Sequence, residues 1–332
     1  MTGLPKIELH LHLEGAAPPA FIRGLAAEGR VSPPDIFAPD GSYRWRGFRD
    51  FLRVYEAATA LIRSPEDYAR LLRAVLENCA GQGAVYAELF VSPEFCGGAD
   101  LSAWRDHLAA MTEVATDMAA QGIDSRAIVT PIRHFGPNRA RRTAICAAET
   151  AGEGGRGWVA GFGLAGDESV GRPQDFAWSF DCAREAGLGL TCHAGEWAGP
   201  QSVRDALALG VTRIGHGVRA IEDAALVRDL AGRTITLEVC PGSNIALGLY
   251  PDWPSHPIAR LADAGCRVTV STDDPPFFAT TLTREYDRLA DAFGWTDAEF
   301  AQMNRWALDA AFCDEATRTR LLDRLGADKT TG

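Results

Sequence analysis

The chain is predicted to fold as an α/β protein, a (β/α)8 TIM barrel with additional helices after the first strand. Short apolar runs recur at residues 7–13, 85–91, 127–132, 159–164, 188–193, 213–216, 235–239 and 268–271. Most of the intervals between them hold helical patterns, as at 173–186 and 201–209. Eight strands alternating with helices are the number that closes such a barrel. A doubly wound open sheet would alternate in the same way, but it gives no reason for polar motifs at the ends of many strands. Here the runs end in HLHLE, LFVSPE, PIRH, LAGDE, CHAGE, GHG, VCPGSN and STDDP. In a TIM barrel those C-terminal ends meet at one face.

The first strand lies in PKIELHLHLEGA, residues 5–16. Residues i and i+2 of a strand share a face, so His10 and His12 project together, opposite Leu9, Leu11 and Leu13. Two such imidazoles at a barrel mouth can bind one divalent ion, although an isolated pair is ordinarily solvated or bonded to backbone. After this strand, the Pro/Gly-rich segment 32–41 reads as a surface loop. Phe48, Phe51, Leu52 and Tyr55 then fall at i, i+3, i+4 and i+7, a helical stripe. It either packs on the barrel or turns part of itself to a ligand.

The fifth strand ends in His193, and the eighth leads into Asp273 and Asp274. Added to His10 and His12, these supply three imidazoles and a carboxylate, a donor set that suits zinc and leaves a position for water. Glu196 follows His193 by three residues in HAGE; a carboxylate beside a metal-activated water can shuttle its proton. By itself such a Glu is usually solvated or opens a helix. His216, between glycines in IGHG, could orient the attacking water, though a lone histidine is more often structural.

Composition narrows the function classes. With 332 residues the chain can bury a sizeable core, and its 46% apolar and 23% charged residues are ordinary for a globular protein. We expect one domain, residues 1–332, since no repeat, low-complexity tract or long linker interrupts it. A net charge of −11 argues against phosphate-backbone binding, so no nucleic-acid partner is expected. Eight cysteines form no CxxC pair, which points to reduced thiols. Neither an 18-residue apolar run nor an export signal is found, so a cytoplasmic protein without a membrane partner is expected.

ELHLHLEGA, LAGDES, HAGE, RIGHG, LEVCPGSN and STDDP, in this order over residues 4 to about 290, resemble the adenosine deaminase family of metal-dependent hydrolases. The resemblance implies one Zn2+ per chain, held by His10, His12, His193 and Asp273. It implies hydrolytic deamination at C6 of a purine in purine salvage, with Glu196 protonating N1 and shuttling the water proton. His216 then matches the histidine beside the attacking hydroxide, and Asp274 the group contacting both that hydroxide and N7. His12 and Gly166 also fall among the substrate contacts, Gly166 through a backbone donor to N3. Glu14 departs from the family's usual HLDG, whose acid meets the ribose 5′-hydroxyl; relatives that prefer free adenine also carry Glu there. Against adenine, LAGDES and Thr272 keep the nucleoside pattern. The expected substrate is thus a small-molecule purine nucleoside, adenosine or 2′-deoxyadenosine. Adenine, or another 6-aminopurine nucleoside such as 6-aminodeoxyfutalosine, is the alternative. AMP is disfavoured because no basic cluster awaits a phosphate. A catalytically dead barrel used for binding would need neither the ligand set nor Glu196.

Overall fold

The computed structural model describes residues 3–29, 35–153 and 157–327. Its centre is an eight-stranded sheet in sequential order. The strands are β1 (Lys6–His12), β2 (Ala84–Val91), β3 (Asp124–Val129), β4 (Val159–Phe162), β5 (Gly189–Ala194), β6 (Arg213–His216), β7 (Thr236–Val239) and β8 (Arg267–Val270). Each pairs in parallel with the next. Such pairing demands a long crossover between neighbours, which the helices of the expected intervals supply. The expected TIM barrel is what forms. The 173–186 interval begins with a 3-10 turn and continues as the helix Ala177–Glu185; 201–209 is the helix Pro200–Ala208.

Closure between β8 and β1 is completed largely by side chains. A bridge joins Leu11 to Asp273, with the His12 amide donating to the Asp273 carbonyl at 3.0 Å. Below it, the amides of Leu9 and Ile7 donate to Ser271 Oγ (3.3 Å) and Asn304 Oδ1 (2.8 Å), and the Thr272 amide donates to Glu8 Oε1 (2.8 Å). These side chains replace a backbone ladder that buried amides cannot do without. One extra residue in β1 between Glu8 and Leu11, relative to β2, makes a bulge around His10. Strict alternation cannot reveal it, and bulges re-aim side chains next to active sites.

The expected additional helices follow β1 as Pro19–Ala27, Phe48–Thr59 and Pro65–Gly81. The last starts at a capping box, in which Ser64 and Asp67 satisfy each other's backbone amides. Of the expected loop 32–41, residues 32–34 lie outside the described residues; the remainder forms turns tied by a Phe37–Tyr43 bridge. Four further helices follow β8, ending with Asp297–Ala310 and Glu315–Ala327; the sequence pattern did not anticipate them. Between these two, Phe312 closes the barrel floor: a Cβ on Gly189 would lie 2.3 Å from its ring. All eight cysteines are free. No described helix is long and apolar enough to cross a membrane.

Inside the lumen, Arg213 bridges Glu88 and Glu238 at 2.6 Å each, all three side chains fully buried, and its guanidinium sits 3.8 Å from the Phe312 ring centroid. Removing one partner of a buried ion set strands the others in a low dielectric. Arg213→Met is therefore expected to cost about 3–5 kcal/mol of stability, read from a denaturant titration. An unchanged unfolding midpoint would show that the three-membered ion set contributes nothing net.

Candidate active site

Every candidate side chain sits at the C-terminal end of a strand, as barrel geometry requires. His10 and His12 come from β1, His193 from β5 and His216 from the end of β6; Asp273 and Asp274 follow β8. The Nε2 atoms of His10 and His12 lie 3.5 and 3.2 Å from Asp273 Oδ1. His12 Nε2 and His193 Nε2 face each other at 3.2 Å. His10 Nε2 is buried and makes no hydrogen bond. Its Nδ1 lies 2.7 Å from Glu238 Oε2, and a carboxylate there calls for a proton on Nδ1, which leaves the Nε2 lone pair free. Two groups of donor atoms overlap at Asp273: His10, His193, His216 and Asp273 in one, and His12, Asp273 and Asp274 in the other, with the donor atoms of each within 4.8 Å of one another. Imidazole nitrogens and carboxylate oxygens so placed fit a zinc-type ion. The His216 Nε2 stands 3.9 Å from Asp273 Oδ2.

Backbone conformation and absent side chains make this crowding possible. His216 and Asp273 adopt left-handed φ values of 61° and 66°, which are costly for residues with a Cβ and concentrate at functional sites. Ser243 Oγ donates to Asp273 Oδ2 at 2.7 Å and holds that carboxylate in place. At Gly15, in the HLEGA motif, a Cβ would fall 1.5 Å from Asp274 Oδ1. Only glycine lets the first loop pass the acid.

Glu196 and Asp274 line the cavity with His12, His193, His216 and Asp273. Burial, then the charges of Asp273 and Glu168, push the Glu196 carboxyl well above the usual carboxylate range. Asp274 is raised likewise by burial and by Asp273, Glu196 and Glu14; its buried Oδ1 has no hydrogen-bond partner. Asp273 goes the other way: the imidazoles of His10 and His12 beside it overcome burial and hold it well below that range. Two carboxyls of raised proton affinity thus flank one whose affinity is lowered.

Gly166 reaches the cavity wall with φ of 96°, and among the described residues its amide makes no hydrogen bond. Phe48, Phe51, Leu52 and Tyr55 all face the cavity, so the stripe that sequence left ambiguous forms its apolar roof. Glu14 differs. It is buried but absent from the cavity lining, its Oε1 accepting from Tyr68 OH (3.2 Å) and the Ser92 amide (3.4 Å), with burial raising its pKa to about 7.

Sequence reasoning missed the groups behind the first layer. Glu168, inside LAGDES, accepts the amides of Gly195 (2.6 Å), Glu196 (3.0 Å), Trp197 (2.7 Å) and Ala198 (2.9 Å). One carboxylate therefore pins the loop that carries Glu196. Glu238 and Ser243 lie inside LEVCPGSN, but only the fold shows what they touch. His256 had no motif to flag it.

A family model described as adenosine deaminase matches residues 5–328. The adenine deaminase of Rhizobium rhizogenes is 50% identical over 325 residues, covering 97% of this chain and 99% of that protein. The crystal structure of adenine deaminase from Arthrobacter aurescens superposes with a TM-score of 0.87 at 26% identity, over 98% of this chain and 99% of that one. An amidohydrolase from Burkholderia ambifaria with bound Zn superposes at 0.84 and 25% identity, over 98% and 90%.

Proposed function

The chain belongs to the adenosine deaminase family, and on that footing we propose that it hydrolyses the 6-amino group of free adenine, giving hypoxanthine and ammonia. The sequence alone points first to adenosine and holds adenine as the alternative. The relatives support the alternative: two named adenine deaminase are half identical over nearly their whole length, and a solved adenine deaminase shares the fold at 26% identity. One structural observation carries the same preference: the acid expected to meet the ribose 5′-hydroxyl, Glu14, is bonded into the wall by Tyr68 and Ser92 rather than facing the cavity. The rim otherwise offers phenyl rings. Its polar pair, Glu56 and His134, are bonded to each other at 3.1 Å. A flat base suits such a pocket better than a sugar with unpaired hydroxyls.

His10, His12, His193 and Asp273 would hold the ion, which when bound makes water nucleophilic near neutral pH. Glu196, with its raised proton affinity, takes the proton that the attacking water sheds and delivers it to N1 as oxygen adds to C6. His216 orients that oxygen. Asp274, protonated, donates toward N7, and the Gly166 amide toward N3. Collapse forms the C6 carbonyl and breaks the bond from C6 to the amino nitrogen, which leaves as ammonia with the proton given up by the C6 hydroxyl. Negative charge developing in the ring is neutralised at each nitrogen by a group already in place.

A substrate panel followed by loss of adenine absorbance tests this. With the metal loaded, kcat/KM for adenine should exceed that for adenosine and 2′-deoxyadenosine by about 10²-fold or more. Faster turnover of adenosine would restore the nucleoside assignment and leave the proton-transfer roles untouched.

A further inference from the structure

We propose that Asn244 and His256 are positioning residues that dictate which nitrogen of His216 carries its proton. The chain of contacts begins at a group whose role is fixed. The Ile258 amide can only donate, and it points at His256 Nδ1 at 3.2 Å. That nitrogen must therefore accept, which puts the His256 proton on Nε2. His256 Nε2 then donates to Asn244 Oδ1 at 3.1 Å. The Asn244 amide is thereby oriented, because its oxygen is already assigned. Its Nδ2 donates across 3.3 Å to His216 Nδ1, so His216 keeps its own proton on Nε2. That N–H faces the cavity, 3.8 Å from Glu196 Oε2 and 3.9 Å from Asp273 Oδ2.

Asn244 is fully buried and His216 and His256 are each 1% exposed, so within the relay the three side chains are one another's partners. Burial also depresses the His256 pKa to about 3, which keeps that ring neutral with a single N–H. Reversing any one link would set two N–H groups, or two lone pairs, against each other in a dry interior. The kinetic consequence rests on the deaminase assignment: an Nε2–H donor can hold the attacking oxygen, whereas a bare Nε2 lone pair would repel it. The tautomer itself does not depend on that assignment.

Asn244→Asp tests both parts. Asp keeps the shape but can only accept, so the His216 proton should move to Nδ1 to meet it, leaving no donor in the cavity. In zinc-loaded enzyme labelled with 15N-histidine, NMR should show His216 and His256 both as Nε2–H tautomers, with signals assigned through His216→Gln and His256→Gln. In Asn244→Asp only His216 should switch. A wrong-tautomer histidine costs a serine protease about 10⁴-fold in kcat; here a kcat loss of about 10²–10⁴-fold is expected, with KM and zinc content nearly unchanged. A wild-type His216 carrying its proton on Nδ1 would overturn the relay. So would a switched tautomer with undiminished kcat on whichever 6-aminopurine the enzyme turns over. If Asn244→Asp does not fold, the wild-type spectrum still decides. Should adenine prove not to be the substrate, the spectrum is unaffected.

Discussion

Glu196→Gln is expected to lower kcat by about 10²–10⁴-fold with little change in KM, metal content or unfolding midpoint. The separation is built into the loop. Glu168 holds residue 196 by its backbone amide, not its side chain, so the amide variant should keep its place. Gln preserves hydrogen-bonding shape but cannot hold a transferable proton, and the step it removes is proton delivery to N1. Steady-state kinetics beside metal analysis of the same preparation read the outcome. Near-normal turnover would reassign the proton shuttle, while loss of metal would make Glu196 part of the ion's support instead.

Removing the ion should have a still larger effect. His10, His12, His193 and Asp273 bring donor atoms within 3.2–3.5 Å of neighbours in the set, and His10 Nε2 is buried without a hydrogen bond. Purified protein should carry about one divalent ion per chain. Dialysis against a strong chelator should abolish turnover, and added Zn2+ should restore it. The thermal midpoint should fall with the ion too, since a ligand held only by the folded state stabilises it by about 2.7 kcal/mol at a free concentration 100 times its Kd. Full activity in verified metal-free protein would sink the assignment.

Much of this was legible because barrel chemistry is written at strand ends. The HxH of β1 announced a shared face, and the positions of HAGE, GHG and STDDP announced convergence; neither depends on exact strand limits. The bulge around His10 was not legible, because an extra residue is defined only against the neighbouring strand. Glu238, Glu168 and Asn244 sat inside motifs that were noticed, yet their work is set by partners such as His10, Gly195 and His216, far away in sequence. His256 offered no pattern of its own. The orientation of Glu14 shows the limit most plainly: its identity could be read, but not that Tyr68, more than fifty residues later, holds it in the wall.

The seal under the barrel has a consequence for how the chain matures. Ile7, in the first strand, finds its amide acceptor in Asn304, and the floor between β4 and β5 is filled by Phe312. Both partners leave the ribosome after all eight strands have been made. During synthesis the strands therefore wait with an open base and an unsatisfied first edge, the kind of exposed surface that favours association between nascent chains. The Ile7 amide and the barrel floor are covered only when the C-terminal helices arrive, so those helices set the moment at which a newborn chain escapes that hazard.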